Sequence, residues 1–425
     1  MGRPKKITPT IEKAPLHLPG TYDLQPEQQA AFAAFMDRFV NFAHTFGYSR
    51  METPSLENAS LYKYWQQSTN QQAVTFTDAK GTVMAFKPTN LFGLARAYLE
   101  HRYFEREKVS KWFYASPTMA VVNGTLRQTD ELGFQIFGET SPIADAQVIN
   151  MVMKLFLDAG FTGLTLEINN VGCLECLPPY QEVLTNYFKE KKYDLCENCV
   201  ELVDSNPVAI LACNNLSCST VSSEAPVLVD YLCENCRRHF IGVLEGLDEV
   251  GIPYNLNQKV VGKPWSRKTI FEIKYKGEQG EMALGQGGHA DDVIQSLGGL
   301  PTSALGFQTS IETVLTAINL ANMKISPRHK ADVFLVPLGD LAAKKSLRLF
   351  SDLWSANIAA SEFIGPGSIK TQLKLAESSK VAIALIIGQK EAREGTVILR
   401  DVRSGMQELF TIERIIEEVK KRLGK

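Results

Sequence analysis

The eight cysteines of this 425-residue chain all fall between Cys173 and Cys236, as the pairs Cys173/Cys176, Cys196/Cys199, Cys213/Cys218 and Cys233/Cys236. Three pairs have two intervening residues, the spacing at which a tight turn presents two thiolates to one tetrahedral ion, and eight thiolates suit two four-cysteine sites. Disulfides are disfavoured in a reducing compartment, so two structural Zn²⁺ ions are expected, with an iron–sulfur cluster or plain structural thiols as the alternatives. No ligand position looks open for catalysis. Because Leu195-Cys-Glu-Asn-Cys199 recurs as Leu232-Cys-Glu-Asn-Cys236, the two copies are expected to share one ion. That leaves Cys173 and Cys176 with Cys213 and Cys218.

The cysteine segment, roughly 172–258, interrupts a run of mixed elements. Apolar residues at helical spacing predict a helix over Gln25–Phe46, stopped by Gly47. Short strands follow at Ala73–Phe76 and Val83–Phe86, then a helix near Leu91–Tyr103. Lys111–Tyr114 and Phe134–Phe137 read as antiparallel strands bracketing a Gly- and Asn-containing connection. A helix at Ala144–Ala159 and a strand at Leu164–Asn169 precede the cysteines. After them come a helix (Cys236–Val250), strands at Thr269–Tyr275 and Glu281–Leu284, and a helix at Ile311–Asn322. Strands interleaved with helices without regular βαβ spacing predict a mixed antiparallel sheet.

Ser326-Pro-Arg-His329 reads as a linker. Beyond it the pattern is strand (Asp332–Pro337), helix (Leu341–Ser355), strand (Ala359–Phe363), helix (Ser368–Ser378), strands (Val381–Ile387, Thr396–Asp401) and helix (Ile412–Leu423). A small α/β domain with a largely parallel core is expected over 331–425.

Charge divides at the same place. The whole chain has 45 Lys/Arg and 47 Asp/Glu, a net −2, which excludes a globally basic polyanion binder. Residues 326–425 carry 17 Lys/Arg against 12 Asp/Glu, whereas residues 1–325 carry 28 against 35. No stretch approaches the roughly 18 apolar residues of a membrane span, and the flexible basic tail of residues 1–17 has no apolar region after its charges. A cytoplasmic protein without membrane association is expected. Gly2-Arg-Pro-Lys-Lys6 is similar to an AT-hook core, and reads as a solvated tail.

Pro54-Ser-Leu-Glu57 after Gly47-Tyr48, then Lys87-Pro88, Arg127-Gln128, Gly133-Phe-Gln-Ile-Phe-Gly138, Asp145-Ala146, Phe271-Glu272, Gly287-Gly288, Leu305-Gly-Phe307 and Ile311-Glu312 stand in the order seen in histidyl-tRNA synthetases. The resemblance runs from about Leu18 to the C-terminus. Ser368-Ile-Lys370-Thr-Gln372-Leu-Lys374 and Gly388-Gln-Lys-Glu391 resemble that family's anticodon-binding domain. The fold it implies is α+β: a class II synthetase-type antiparallel sheet with flanking helices over 18–325, the cysteine-rich zinc insertion within it, and a C-terminal anticodon-binding-type α/β domain. A homodimer formed through the first motif, including Pro54, is also implied, as is tRNA as partner. A further protein partner is possible on this reading.

Several positions depart from the family pattern. The second-motif arginine for the α-phosphate is Ala120 or a neighbour, and the longer basic loop after it is shortened. The third-motif arginine is Thr313, and the glycine three residues earlier is Ser310. The segment that supports adenylate formation reads Val261-Gly-Lys-Pro-Trp-Ser266 where the family has an arginine first. The residues that would take the α-amino group read Thr89-Asn90-Leu91, the glutamine and glutamate after the second motif align with Glu131 and Gln135, and His289 replaces the arginine of Gly-Gly-Arg-Tyr-Asp. His289 reads as a solvated turn residue. Arg267 and Lys268 could supply replacement charge to a rewired nucleotide site.

Adenylate chemistry needs preorganised positive charge on the phosphates, and losing one such stabiliser costs about 10²–10³ in rate. The expectation is therefore a synthetase-like protein with altered ATP and histidine sites that binds tRNA or regulates. The alternative is a divergent, active histidine–tRNA ligase using ATP and Mg²⁺. A different small-molecule role in the emptied pocket is a third reading. In the C-terminal domain, Lys370 and Lys374 are expected to hold RNA backbone and Gln372 to read an unstacked base.

Overall fold

The computed structural model describes residues 16–69, 71–278, 280–323, 331–362, 368–379 and 381–424. The tail before residue 16, the 326–329 linker and Phe363, the end of an expected strand, lie outside them. The chain falls into two compact units, residues 1–325 and 326–425.

The first unit opens with helix α1 (Pro26–Thr45), with proline in its first turn and Phe35, Phe39 and Ala43 buried on one face. Next come β1 (Ser49–Arg50), β2 (Leu56–Asn58), α2 (Lys63–Thr69), β3 (Gln72–Ala73), β4 (Thr75–Thr77), β5 (Val83–Phe86), α3 (Asn90–Glu100) and α4 (Tyr103–Arg106). Strands β6 (Ser110–Val122) and β7 (Thr125–Phe137) pair over their whole length, from Ser110 opposite Phe137 to Val122 opposite Thr125. They turn on Asn123 (φ 49°) and Gly124 (φ 75°), the left-handed pair that a two-residue hairpin turn demands. The connection expected between Tyr114 and Phe134 is thus ladder almost throughout.

Helix α5 (Pro142–Asp158) is capped by the Ser141 side chain, and β8 (Leu164–Asn170) follows. The cysteine insertion contributes α6 (Leu177–Glu190), α7 (Glu197–Leu202), α8 (Pro207–Ile210), α9 (Leu216–Ser223) and α10 (Glu234–Glu249). Its sequence reads as poor in continuous apolar pattern, yet Tyr180, Leu184, Phe188 and Ile210 pack with the buried cysteines into a separate small core. The apolar residues come from short helices, so no single element shows the periodicity. The unit ends with β9 (Asn255–Leu256), β10 (Arg267–Gly277), β11 (Gly280–His289), α11 (Asp292–Ser296), β12 (Ala304–Ser310) and α12 (Ile311–Leu320).

Among the described residues, nine strands form one sheet in the order β1-β6-β7-β12-β11-β10-β8-β9, with β3 added beside β6. It is antiparallel except at the β1–β6 and β8–β9 edges. Helices α1, α5 and α12 bury its back through Phe39, Phe156 and Ile318. A second cluster, with Tyr62, Trp65, Phe92 and Trp112, lies under α2 and α3.

The second unit has β13 (Val333–Pro337), α13 (Asp340–Ser355), β14 (Ala360–Glu362), α14 (Ile369–Ser378), β15 (Ile383–Ile387), α15 (Gln389–Glu394), β16 (Thr396–Asp401), β17 (Gln407–Thr411) and α16 (Ile412–Leu423). Its sheet runs β14-β13-β15-β16-β17. The first three strands are parallel, and β16 and β17 join antiparallel. The sequence pattern missed α15 and β17, both short and mostly polar. Among the described residues no helix is long and apolar enough to cross a membrane.

Candidate functional site

The eight cysteines gather into two four-thiol clusters, but not as the repeated knuckle suggests. Cys173, Cys176, Cys233 and Cys236 form one, and Cys196, Cys199, Cys213 and Cys218 the other. The two Cys-Glu-Asn-Cys copies therefore do the same job in different clusters. In each copy the first cysteine N-caps a helix, Cys196 for α7 and Cys233 for α10. In each, its backbone N–H donates to the last thiol of the opposing pair at 3.1 Å, Cys196 to Cys218 and Cys233 to Cys176. The repeat marks equivalence between sites, whereas spacing alone cannot distinguish that from two halves of one site.

The donor set suits a metal. Sulfur–sulfur separations are 3.6 Å for Cys173–Cys176, 3.9 Å for Cys173–Cys233 and 4.0 Å for Cys196–Cys213. A tetrahedron with Zn–S bonds of about 2.3 Å has edges of about 3.8 Å. Each cluster could hold an ion.

A second constellation lies on the face of the sheet formed by β7, β12, β11 and β10. Its floor depends on glycine: a Cβ at Gly287 would sit 2.3 Å from the Phe271 ring and 2.6 Å from the Gly306 carbonyl. One cavity of about 70 Å³ lies over this floor, lined among others by Gln135, His289, Trp265 and Lys263. A neighbouring cavity of about 300 Å³ shares Gln286 and Gln308 and is lined by Thr129, Glu131, Glu272, Ser310 and Thr313. Among the described residues, no lysine, arginine or histidine lines this larger cavity.

The expected site residues distribute around these cavities as follows. Glu131 is buried on β7, and its carboxylate accepts from the backbone N–H of Asn90 (3.1 Å) and from the Asn90 amide (3.2 Å). Burial pushes its pKa up against those hydrogen bonds. Asn90 in turn accepts from the Ser116 hydroxyl (2.6 Å), which accepts from the buried Lys87 ammonium (2.9 Å). Burial lowers the Lys87 pKa, with Glu131 opposing. Thr89, next to Asn90, is buried at the start of α3. The side chains that lie where an amino-group pocket was expected thus satisfy one another.

Gln135 donates to the carbonyls of Leu305 (3.1 Å) and Ile136 (3.2 Å). Ala120 faces Arg127 across the hairpin and Ala73 on β3. It belongs to the Tyr62–Trp65–Phe92 cluster, while Arg127 itself is exposed. Val261 packs on the insertion core. At the third-motif position, Ser310 N-caps α12 by accepting from the Thr313 N–H at 3.2 Å. Beside it, the Tyr22 hydroxyl lies 2.7 Å from Asp130 and 2.6 Å from Glu312. Arg267 pairs with Asp292, and Lys268 with Asp291 at 2.9 Å, so the two candidate replacement cations are already engaged.

His289 is not a solvated turn residue. It is 1% exposed, at the end of β11, with Nε2 at 3.0 Å from Asp145 and Nδ1 at 3.2 Å from Asp291. Burial opposes its charge, but the two carboxylates outweigh this and hold its pKa at about 9. Asp145, likewise opposed by burial, is brought to about 2 by His289 and His239. Sequence reasoning overlooked His239, although its place three residues after Cys236, in Cys-x-x-Cys-x-x-His, is a legible signal.

In the second unit Lys370 and Lys374 are exposed one turn apart on α14. Gln372 is not on that face. It is 2% exposed, and its amide donates to the Pro337 carbonyl at 2.9 Å. It cannot read a base from there.

Comparison with known proteins matches this architecture. The histidyl-tRNA synthetase family pattern covers residues 20–203 and an anticodon binding domain pattern covers residues 332–422. A histidine–tRNA ligase of Dehalococcoides mccartyi is 32% identical over 412 residues, 95% of this chain and 99% of that protein. One of Pelotomaculum thermopropionicum is 29% identical over 95% of this chain and 97% of its own. Apo histidyl-tRNA synthetase of S. aureus superposes with a TM-score of 0.78 at 24% identity, covering 95% of this chain and all of that one. A Bacillus halodurans structure titled ATP phosphoribosyltransferase regulatory subunit/histidyl-tRNA synthetase gives 0.63 at 16%, covering 90% and 99%. With near full-length coverage at 32% identity and the fold described above, the chain belongs to the histidyl-tRNA synthetase family.

Proposed function

We propose that this chain is a tRNA-binding member of the family that does not form histidyl-adenylate. The observation that carries the reading is the larger cavity. Glu131 and Glu272 border it, and among the described residues no lysine, arginine or histidine does. Lys274 reaches Glu272 at 3.7 Å but also Glu281 at 3.3 Å. A bent ATP is a tetra-anion, and phosphoryl chemistry depends on cations positioned to receive its developing charge. Of the four positions where the family places arginine, three are occupied by Ala120, inside an apolar cluster, by Val261, packed on the insertion core, and by Thr313, engaged with the cap of α12, and the fourth, His289, is held by Asp145 and Asp291. The two-residue turn at Asn123-Gly124 leaves no second-motif loop to bring charge, and Lys263, on the segment before β10, lines the adjoining 70 Å³ cavity instead.

Two Zn²⁺ ions in the cysteine clusters fit the same reading, with Cys173, Cys176, Cys233 and Cys236 holding one and the remaining four the other. Zinc there supplies folding free energy, about 10–16 kcal/mol of apparent binding in small peptides, and no chemistry. Dimerisation would use the three-stranded sheet β2-β5-β4, which leaves Pro54, Leu56, Phe76 and Val83 exposed.

A second reading, an active histidine–tRNA ligase, is favoured by the names of the relatives at 32% identity. Histidine-dependent exchange of pyrophosphate into ATP separates the two. The proposal expects none above background at millimolar ATP and histidine, with tRNA binding retained. Exchange at a synthetase-like rate overturns it.

A further inference from the structure

We propose that Asp145, His239 and His289 form a third metal site, taking a divalent ion of the Zn²⁺ class, at the seam between the cysteine insertion and the main sheet. The three side chains come from three elements, the first turn of α5, the middle of α10 and the end of β11. Their ligand atoms all lie within 4.8 Å of one another. His289 Nε2 is 3.0 and 3.2 Å from the two Asp145 oxygens, and His239 Nε2 is 3.3 Å from Asp145 Oδ2. Ligands bound at about 2.0–2.1 Å around a tetrahedral ion stand about 3.3 Å apart. Each histidine nitrogen therefore stands from Asp145 as two ligands of one ion would, and the two rings' ligand atoms are within 4.8 Å of each other.

Two further observations favour an ion over a plain ion pair. The His239 ring is nine-tenths buried, and its Nε2 is shielded and makes no aligned hydrogen bond, although Asp145 Oδ2 is within reach. A buried ring nitrogen left in this way costs free energy unless something else occupies its direction. The far side of His289 is arranged as metal-ligating histidines are: Nδ1 faces the Asp291 carboxylate at 3.2 Å and the Ser303 hydroxyl at 3.3 Å. Asp291 is itself fixed by Lys268 at 2.9 Å and the Ala304 N–H at 3.0 Å. A carboxylate on one ring nitrogen orients the imidazole and directs the other nitrogen's lone pair to the ion.

The placement gives the site a structural consequence. Helix α10 starts in the first cysteine cluster and continues through His239, packing on α5 so closely that a Cβ at Gly242 would lie 2.8 Å from Pro142. An ion shared by His239, Asp145 and His289 would tie that helix to the β11 end beside the 70 Å³ cavity. It would fasten the insertion to the wall of the pocket.

The test is metal content of the full-length protein loaded with Zn²⁺ and dialysed. About three equivalents are expected, falling to about two in His239→Gln with the cysteines intact. In Co²⁺-loaded protein, the difference between wild type and His239→Gln should show ligand-field bands without thiolate-to-metal charge transfer. Two equivalents in the wild type, or three in a folded His239→Gln, overturn the proposal. If that variant does not fold, the wild-type count still decides. A single equivalent lacking thiolate charge transfer would support this site and sink the cysteine-zinc reading instead.

Discussion

The Glu131 carboxylate holds both donors of Asn90, the backbone N–H at 3.1 Å and the side-chain amide at 3.2 Å, at the mouth of helix α3. Burial raises the pKa of Glu131 above the usual carboxylate range. For a group raised on folding, the contribution to stability is fully present below the unfolded value, near 4.5, and is lost as pH rises through the folded one. Glu131→Gln keeps an acceptor for Asn90 and removes the titration. The variant should therefore gain on the wild type in urea midpoint as pH rises from 4.5 to 7. Parallel midpoints over that range would contradict this origin of the shift.

The cluster assignment makes a pairing experiment decisive. Cys199→Ser with Cys218→Ser should cost one metal equivalent, because both residues serve one ion, whereas Cys199→Ser with Cys236→Ser should cost two. The opposite pattern would restore the sharing suggested by the knuckle repeat. Stripping both ions with a strong chelator should melt the insertion, seen as lost helical circular dichroism, since its small core includes the buried thiols.

Restoring four of the altered positions together, Thr89→Glu, Ala120→Arg, Val261→Arg and Thr313→Arg, is expected to leave histidine-dependent pyrophosphate exchange at background. Ala120 is enclosed by the Trp65–Phe92 cluster, and the hairpin turn is too short to carry a basic loop. Preorganised stabilisers act as a unit, so partial restoration recovers little. Measurable exchange in the quadruple variant would show that these side chains alone account for the loss.

Tyr22 bridges Asp130 and Glu312 at the start of α12. Removing its hydroxyl leaves two carboxylates facing each other without a shared donor. Tyr22→Phe should destabilise the first unit by about 1–3 kcal/mol, read as a lower urea midpoint at unchanged slope. No shift would mean that solvent replaces the hydroxyl.

For the second unit, Lys370→Ala and Lys374→Ala should each weaken tRNA binding and lower the slope of log affinity against log salt by about one. Gln372→Ala should act differently: it removes a buried bond to Pro337, so it lowers the stability of the unit and leaves discrimination among tRNAs unchanged. Salt-insensitive binding in the wild type, or a change of tRNA preference in Gln372→Ala, would refute this division of roles.

Local order in the sequence was enough for the longer elements and the family, but not for the short insertion helices, α15 or β17. The helical spacing of Phe35, Phe39 and Ala43 and the cysteine spacings each act within one or two turns of chain, where periodicity and backbone preference operate. The order of motifs from Pro54 to Glu391 then identified the family and its α+β architecture. Whatever depends on which segments meet was decided by tertiary structure. The two Cys-Glu-Asn-Cys copies are locally identical, so only the paths of α6 and α10 determine that Cys233 meets Cys173 while Cys196 meets Cys213. Lys370, Gln372 and Lys374 lie within five residues on one helix, where a spacing of two already puts Gln372 on a different face from the two lysines, and packing against β13 decides that the glutamine's face is the buried one. His289 followed two glycines and read as a turn, because nothing nearby in the chain announces Asp145, 144 residues away. Side-chain burial and charge pairing are long-range properties, and a sequence read locally carries them only where a family resemblance already encodes the fold.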